Sequence, residues 1–131
     1  MSEFRIKVKG IVKREDKYLV MKKWYDDNIT QPYRWEFVDD GVMFGNSPEN
    51  TVLDAVKCKT GLDVKIGRIL YTWTYVVGEI QYLGLAYLCE TDEDIVVLSE
   101  DLLEYKWIEP DEFKDYIDNG MVLTDVEKVF D

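Results

Sequence analysis

Trp35-Glu36-Phe37-Val38-Asp39-Asp40-Gly41-Val42-Met43-Phe44-Gly45-Asn46-Ser47-Pro48-Glu49-Asn50-Thr51-Val52-Leu53-Asp54-Ala55-Val56-Lys57-Cys58-Lys59-Thr60-Gly61-Leu62 is the stretch on which the reading of this chain turns. It opens as a short strand, Arg34 to Val38, and passes into a loop holding Asp39, Asp40, Gly41 and Gly45. Ser47-Pro48-Glu49 then announces a helix: a hydroxyl to cap the first free N–H groups, a proline in the first turn, and an acid near the positive end of the helix dipole. The helix is expected to run to about Thr60, with Gly61 as the residue that turns the chain out of it.

Working outward, Arg5 to Lys13 alternates basic and apolar residues, the pattern of a half-buried strand. Glu15-Asp16 makes a turn, and Tyr18 to Trp24 returns as its hairpin partner. Tyr25 to Tyr33 is a polar loop. Beyond the helix, Val64 to Val77 and Ile80 to Glu90 flank a Gly78-Glu79 turn. Ile95 to Leu98 and Glu104 to Ile108 read as short strands around an acidic loop. Pro110 to Asn119 reads as a helix ending at Gly120, and Thr124 with Glu127 has the spacing that opens a last short helix. The order is strands, helix, strands, helices, so an α+β architecture is expected, with one domain over residues 1–131.

Composition narrows the chemistry. The chain of 131 residues has 27 acidic and 16 basic side chains, a net charge of −11, and no histidine. The charge disfavours non-specific binding to DNA or RNA, whose phosphates it repels. The lack of histidine excludes histidine-dependent serine triads and zinc–histidine hydrolysis. Cys58 and Cys89 are far apart and form no metal-ligand spacing, so reduced thiols are expected. No apolar run has the length of a membrane span. Met1 to Arg5 lacks the order of a secretory signal, so a cytoplasmic protein is the expectation.

The quoted stretch resembles the Nudix box of the MutT-like hydrolases, together with the strand that leads into it. With Gly61-Leu62 as anchor, the frame runs without a gap over about residues 40–62. Trp35-Glu36, Val42, Gly45, Ser47-Pro48-Glu49, Val56 and Thr60-Gly61-Leu62 stand where the family has its scaffold residues. Glu104-Tyr105-Lys106-Trp107-Ile108, with Pro110 and Glu112-Phe113, is similar to the family's later strand and the helix after it. The resemblance covers Ile6 to about Tyr116. It implies a Nudix-type α/β/α sandwich with a mixed β-sheet.

The chemical positions of the box depart from the family. Its glycine pair is Asp39-Asp40, its first glutamate Asn46, its Arg-Glu pair Asp54-Ala55 and its Glu-Glu pair Cys58-Lys59. In the family these glutamates hold Mg²⁺ or Mn²⁺ against a diphosphate, and the metal neutralises charge and activates water. Residues 55, 58 and 59 share a helix face by their spacing. Here that former catalytic face offers a methyl, a thiol and an ammonium, none of them a hard oxygen ligand.

The expectation is therefore a catalytically impaired Nudix-fold protein, with no cofactor, that binds a nucleotide-like ligand or a protein partner through the old cleft. The alternative is a pyrophosphohydrolase of nucleoside-diphosphate derivatives. It would use Mg²⁺ or Mn²⁺ on unusual carboxylates, with Asp39, Asp40 and Asp54 as metal candidates. Asp54 and Asp101 are its candidate catalytic acids, the latter falling near the loop acid of some members. A charge run is more often a solvated face, which favours the first reading. Lys59 is a candidate for holding a phosphate in place of the metal. Tyr25, Tyr33, Trp73 and Tyr75 are candidates for stacking on a base; Trp35 and Trp107 are read as scaffold. A homodimer is compatible with all of this.

Overall fold

The computed structural model describes residues 2–23 and 34–130. Strands β1 (Glu3–Arg14), β2 (Lys17–Lys23), β3 (Trp35–Glu36), β4 (Val38–Gly41), β5 (Lys65–Val77), β6 (Ile80–Glu90) and β7 (Leu102–Ile108) join in one sheet. Helix α1 (Pro48–Thr60) lies between β4 and β5, while α2 (Phe113–Tyr116) and α3 (Gly120–Phe130) follow β7. The order across the sheet is β3-β2-β1-β6-β5, with β4 beside β1 and β7 beside β2. β1 and β6 run parallel and the other pairs antiparallel, so the sheet is mixed.

Side chains alternate across this sheet and build a core on each face. Val8, Val12, Leu19, Met21 and Val38 meet Val52, Ala55 and Val56 of α1. Ile11, Tyr18, Val20 and Phe37 meet Phe113, Ile117 and Val126 of α2, the turn after it and α3. The result is the helix–sheet–helix sandwich that the resemblance implies.

Helix α1 has both of its expected ends. Ser47 Oγ accepts from Asn50 N–H at 3.1 Å. Gly61 sits at φ 74°, a left-handed conformation in which a side chain is strained, and its N–H donates to Lys57 O.

Four expectations are corrected. Asp39 and Asp40 lie on β4 rather than on a loop, because β1 gives that backbone a partner: Lys9 pairs with Asp39 and Val8 with Asp40. Ile95 to Leu98 forms no strand. Val97 and Ser99 instead donate their N–H groups to the carbonyls of Thr60 and Lys59. Those carbonyls at the end of α1 have no partner within the helix, and Val96 and Leu98 still reach the core. The Pro110–Asn119 helix is cut short. A 3-10 turn, Pro110–Glu112, leads into α2, which ends when Ile117 turns extended at ψ 111°. The last helix starts at Gly120, four residues before Thr124, since Asn119 Oδ1 accepts from the N–H groups of Met121 and Val122. Asparagine caps a helix start well, and Gly120 opens α3 instead of stopping a helix.

Cys89 is 0% exposed in the α1-side core, and burial pushes its thiol from 9.0 up to about 12. Above pH 9 the folded chain therefore holds a proton that the unfolded chain releases. Stability is full below pH 9 and falls as pH rises toward 12, by at most about 1.4 kcal/mol per pH unit. Tyr87 acts in the same sense only above its ordinary value of 10.0. Urea melts of Cys89→Ala are thus expected to lose the decline between pH 9 and 10 that the unaltered chain shows; parallel declines would refute the assignment.

Candidate functional site

The sheet forks at its centre. Toward one end β1 pairs with β4, at Lys7 to Gly10; toward the other it pairs with β2, at Lys13 and Arg14. β2 and β3 leave β1 at this point, and charged side chains fill the opening. Lys23 Nζ lies 2.8 Å from Glu36 and 3.8 Å from Asp39. Lys59, on the last turn of α1, stands 3.8 Å from Asp101. Lys23, Glu36, Asp39 and Lys59 line one narrow seam.

The electrostatics follow from this packing. Burial alone would lower the Lys23 ammonium, but Asp39 and the hydrogen-bonded Glu36 outweigh it and hold its pKa above the usual lysine value. Burial alone would raise the Asp101 carboxyl. The Ser99 hydroxyl, which donates to it, and the charge of Lys59 win, so it ionises below the usual range.

The α1 face of residues 55, 58 and 59 is divided by its burial. Ala55 is 4% exposed and belongs to the core. Cys58 is exposed, and Lys59 is held at the fork. Of the metal candidates, Asp39 faces Lys23, while the Asp40 carboxylate accepts from Gly41 N–H. Alternation along β4 puts these two on opposite faces. Asp54 is exposed on α1. Among the described residues, the acids that gather within 4.8 Å are Glu109, Asp111 and Glu112, where Glu112 closes the 3-10 turn by accepting from Glu109 N–H.

The aromatic candidates Trp73 and Tyr75 lie on β5, on the face that α3 covers in part. Tyr75 stacks on Tyr82 with centroids 4.7 Å apart. Trp73 lies flat across Gly84, where an added Cβ would come within 2.1 Å of its ring. Tyr25 and Tyr33 fall outside the described residues. Sequence reasoning missed Lys9 and Lys23. Lys9 is 8% exposed, with its ammonium 4.7 Å from the centre of the Trp73 ring. The basic–apolar alternation from Arg5 placed Lys9 on the polar face, and the break of that alternation at Gly10-Ile11 was the one sign that its face is covered.

No protein-family model matches the sequence, and no curated protein matches it. Solved structures do. The MutT protein of Methanosarcina mazei Go1 superposes with a TM-score of 0.82 at 17% identity, over 98% of this chain and 94% of that one. The ORF135 protein of E. coli gives 0.81 at 16% identity, over 96% and 88%. An Ap4A hydrolase of C. elegans gives 0.78 at 16% identity, over 95% and 93%. At these identities the likeness is one of fold, and the fold of this chain is that of the Nudix/MutT hydrolases.

Proposed function

We propose that this Nudix-fold chain binds a nucleotide-like ligand through its phosphates without a metal, with Lys23 and Lys59 standing in for the cation. The observation that carries this reading is the pair of ammonium groups at the fork, on and beside the helix face where the family places glutamates. Lys59 is held only by a partly exposed carboxylate at 3.8 Å. Such pairs are worth about 0–1 kcal/mol, so a phosphate can displace Asp101 at little cost. The hard oxygen ligands that Mg²⁺ needs are missing from positions 55, 58 and 59. The mechanism is recognition: ammonium groups donate to phosphate oxygens, and no residue at the fork is assigned to activate water.

Pyrophosphate in EDTA is expected to bind the unaltered chain and to lose about tenfold in affinity in Lys59→Ala, one charge-assisted hydrogen bond's worth. Mg²⁺ or Mn²⁺ titrated alone is expected to raise the melting temperature no more than Na⁺ of equal ionic strength. A saturable metal shift, with phosphate released from a nucleoside-diphosphate derivative, would overturn the proposal in favour of hydrolysis on unusual carboxylates.

A further inference from the structure

Strand β5 ends the sheet on one side, and among the described residues it pairs with β6 alone. Such an edge leaves a row of N–H and C=O groups open to another strand, and folded chains blunt it with bulges or charge. The first half of β5 is blunted in both ways. It carries Lys65 and Arg68, and its register slips between Ile66 and Ile69 and again before Tyr71. The second half is not. From Tyr71 opposite Ala86 to Val77 opposite Ile80 the register is unbroken, and Tyr71-Thr72-Trp73-Thr74-Tyr75-Val76-Val77 holds no charge, glycine or proline. Strand β7 makes the contrast: among the described residues it too pairs with one strand, and it sets Glu104 and Lys106 along its length. Helix α3 stands off from the β5 edge across a groove lined by Thr72, Trp73, Thr74, Asn119, Met121 and Thr124. Successive strand residues face opposite sides of a sheet, so a groove that touches all three of the strand residues reaches the open edge.

We propose that this edge joins a second copy of the chain, β5 against β5, antiparallel about Thr74. Backbone groups alternate between the two sides of a strand, so the two-fold axis passes through a residue and not between two. Thr74 is the middle of the regular, uncharged run. With the axis there, Thr74 meets its own copy, Trp73 meets Tyr75, Thr72 meets Val76 and Tyr71 meets Val77. Threonine with threonine, aromatic with aromatic and aromatic with β-branched are pairings that stabilise antiparallel strands. Two copies of net charge −11 repel at long range, so their contact is best made through a charge-free surface, as this run is. The same register sets the basic Arg68 of each copy level with the acidic Gly78-Glu79 turn of the other. A two-fold contact of this kind closes on itself and gives a dimer, not a fibre. It is a small contact, and the dimer is correspondingly weak.

Sedimentation equilibrium of the full chain, from about 10 µM to about 1 mM, is expected to show monomer and dimer in reversible exchange. Thr74 is exposed, so a charge placed there spares the fold. Thr74→Lys and Thr74→Asp each set like charges opposite one another across the axis. Each is expected to weaken association by about fivefold or more. An equimolar mixture of the two is expected to regain the affinity of the unaltered chain, because position 74 meets its own copy; a folding defect would not be mended by mixing. Amide exchange at residues 71–77 of the unaltered chain is expected to slow as the concentration rises, in step with the dimer fraction. Monomer throughout the range, association undiminished in both variants, a mixture no tighter than its components, or exchange at residues 71–77 that ignores concentration overturns the proposal.

Discussion

Phe113→Ala is expected to lower folding stability by about 3–5 kcal/mol, the range for emptying a buried phenylalanine site. Phe113 is 1% exposed and opens α2, a helix of four residues too short to persist unless it is packed. Its ring meets Tyr18, Phe37 and Phe130 edge-on, each at 5.7 Å between centroids. These contacts tie β2, the β3–β4 junction and the end of α3 to one point. The substitution should therefore also loosen α3. The denaturation midpoint in urea would fall, and hydrogen exchange at the backbone of α3 would rise with it. A loss below about 1 kcal/mol would mean that the aromatic cluster does not hold this face together.

Ala55→Glu carries the second large effect, also about 3–5 kcal/mol. It returns a glutamate to a position where the resembled box has one. In this chain that position is core: Ala55 packs with Val52, Val56 and the strand residues Val8 and Val12. A carboxylate there loses its hydration, and the Lys59 ammonium one turn along α1 offsets only part of that loss. Its folded-state pKa would rise, so the variant's deficit relative to the unaltered chain should be small near pH 4 and grow as pH climbs to 8. Thermal melts across that range, with and without Mn²⁺, check it. A variant as stable as its parent, with saturable stabilisation by Mn²⁺, would show that position 55 still serves as a ligand position. The expected failure also explains why one substitution does not restore a metal site. Positions 58 and 59 would still offer a thiol and an ammonium.

Helix α1 was legible in the sequence because its determinants are local. Ser47 caps Asn50 three residues on, and Gly61 closes on Lys57 four residues back. The strands flanking the Gly78-Glu79 turn were legible for the same reason. That positions 46, 55, 58 and 59 carry Asn, Ala, Cys and Lys, where the resembled box has glutamates, is likewise read from the sequence alone. Tertiary structure decided the rest. Asp39 became a strand residue because β1, some thirty residues earlier, pairs with it. Ile95 to Leu98 has the composition of a strand, but the free carbonyls at the end of α1 claimed its N–H groups first. The break before α3 followed from Asn119 finding two N–H groups to cap. Lys23, Asp39 and Lys59 come from β2, β4 and α1, and no spacing relates them. Capping and turn formation depend on interactions within a few residues, which a sequence displays directly. A site depends on which distant strands pair and which helix covers them, and the hydrophobic burial that decides this carries no record of register.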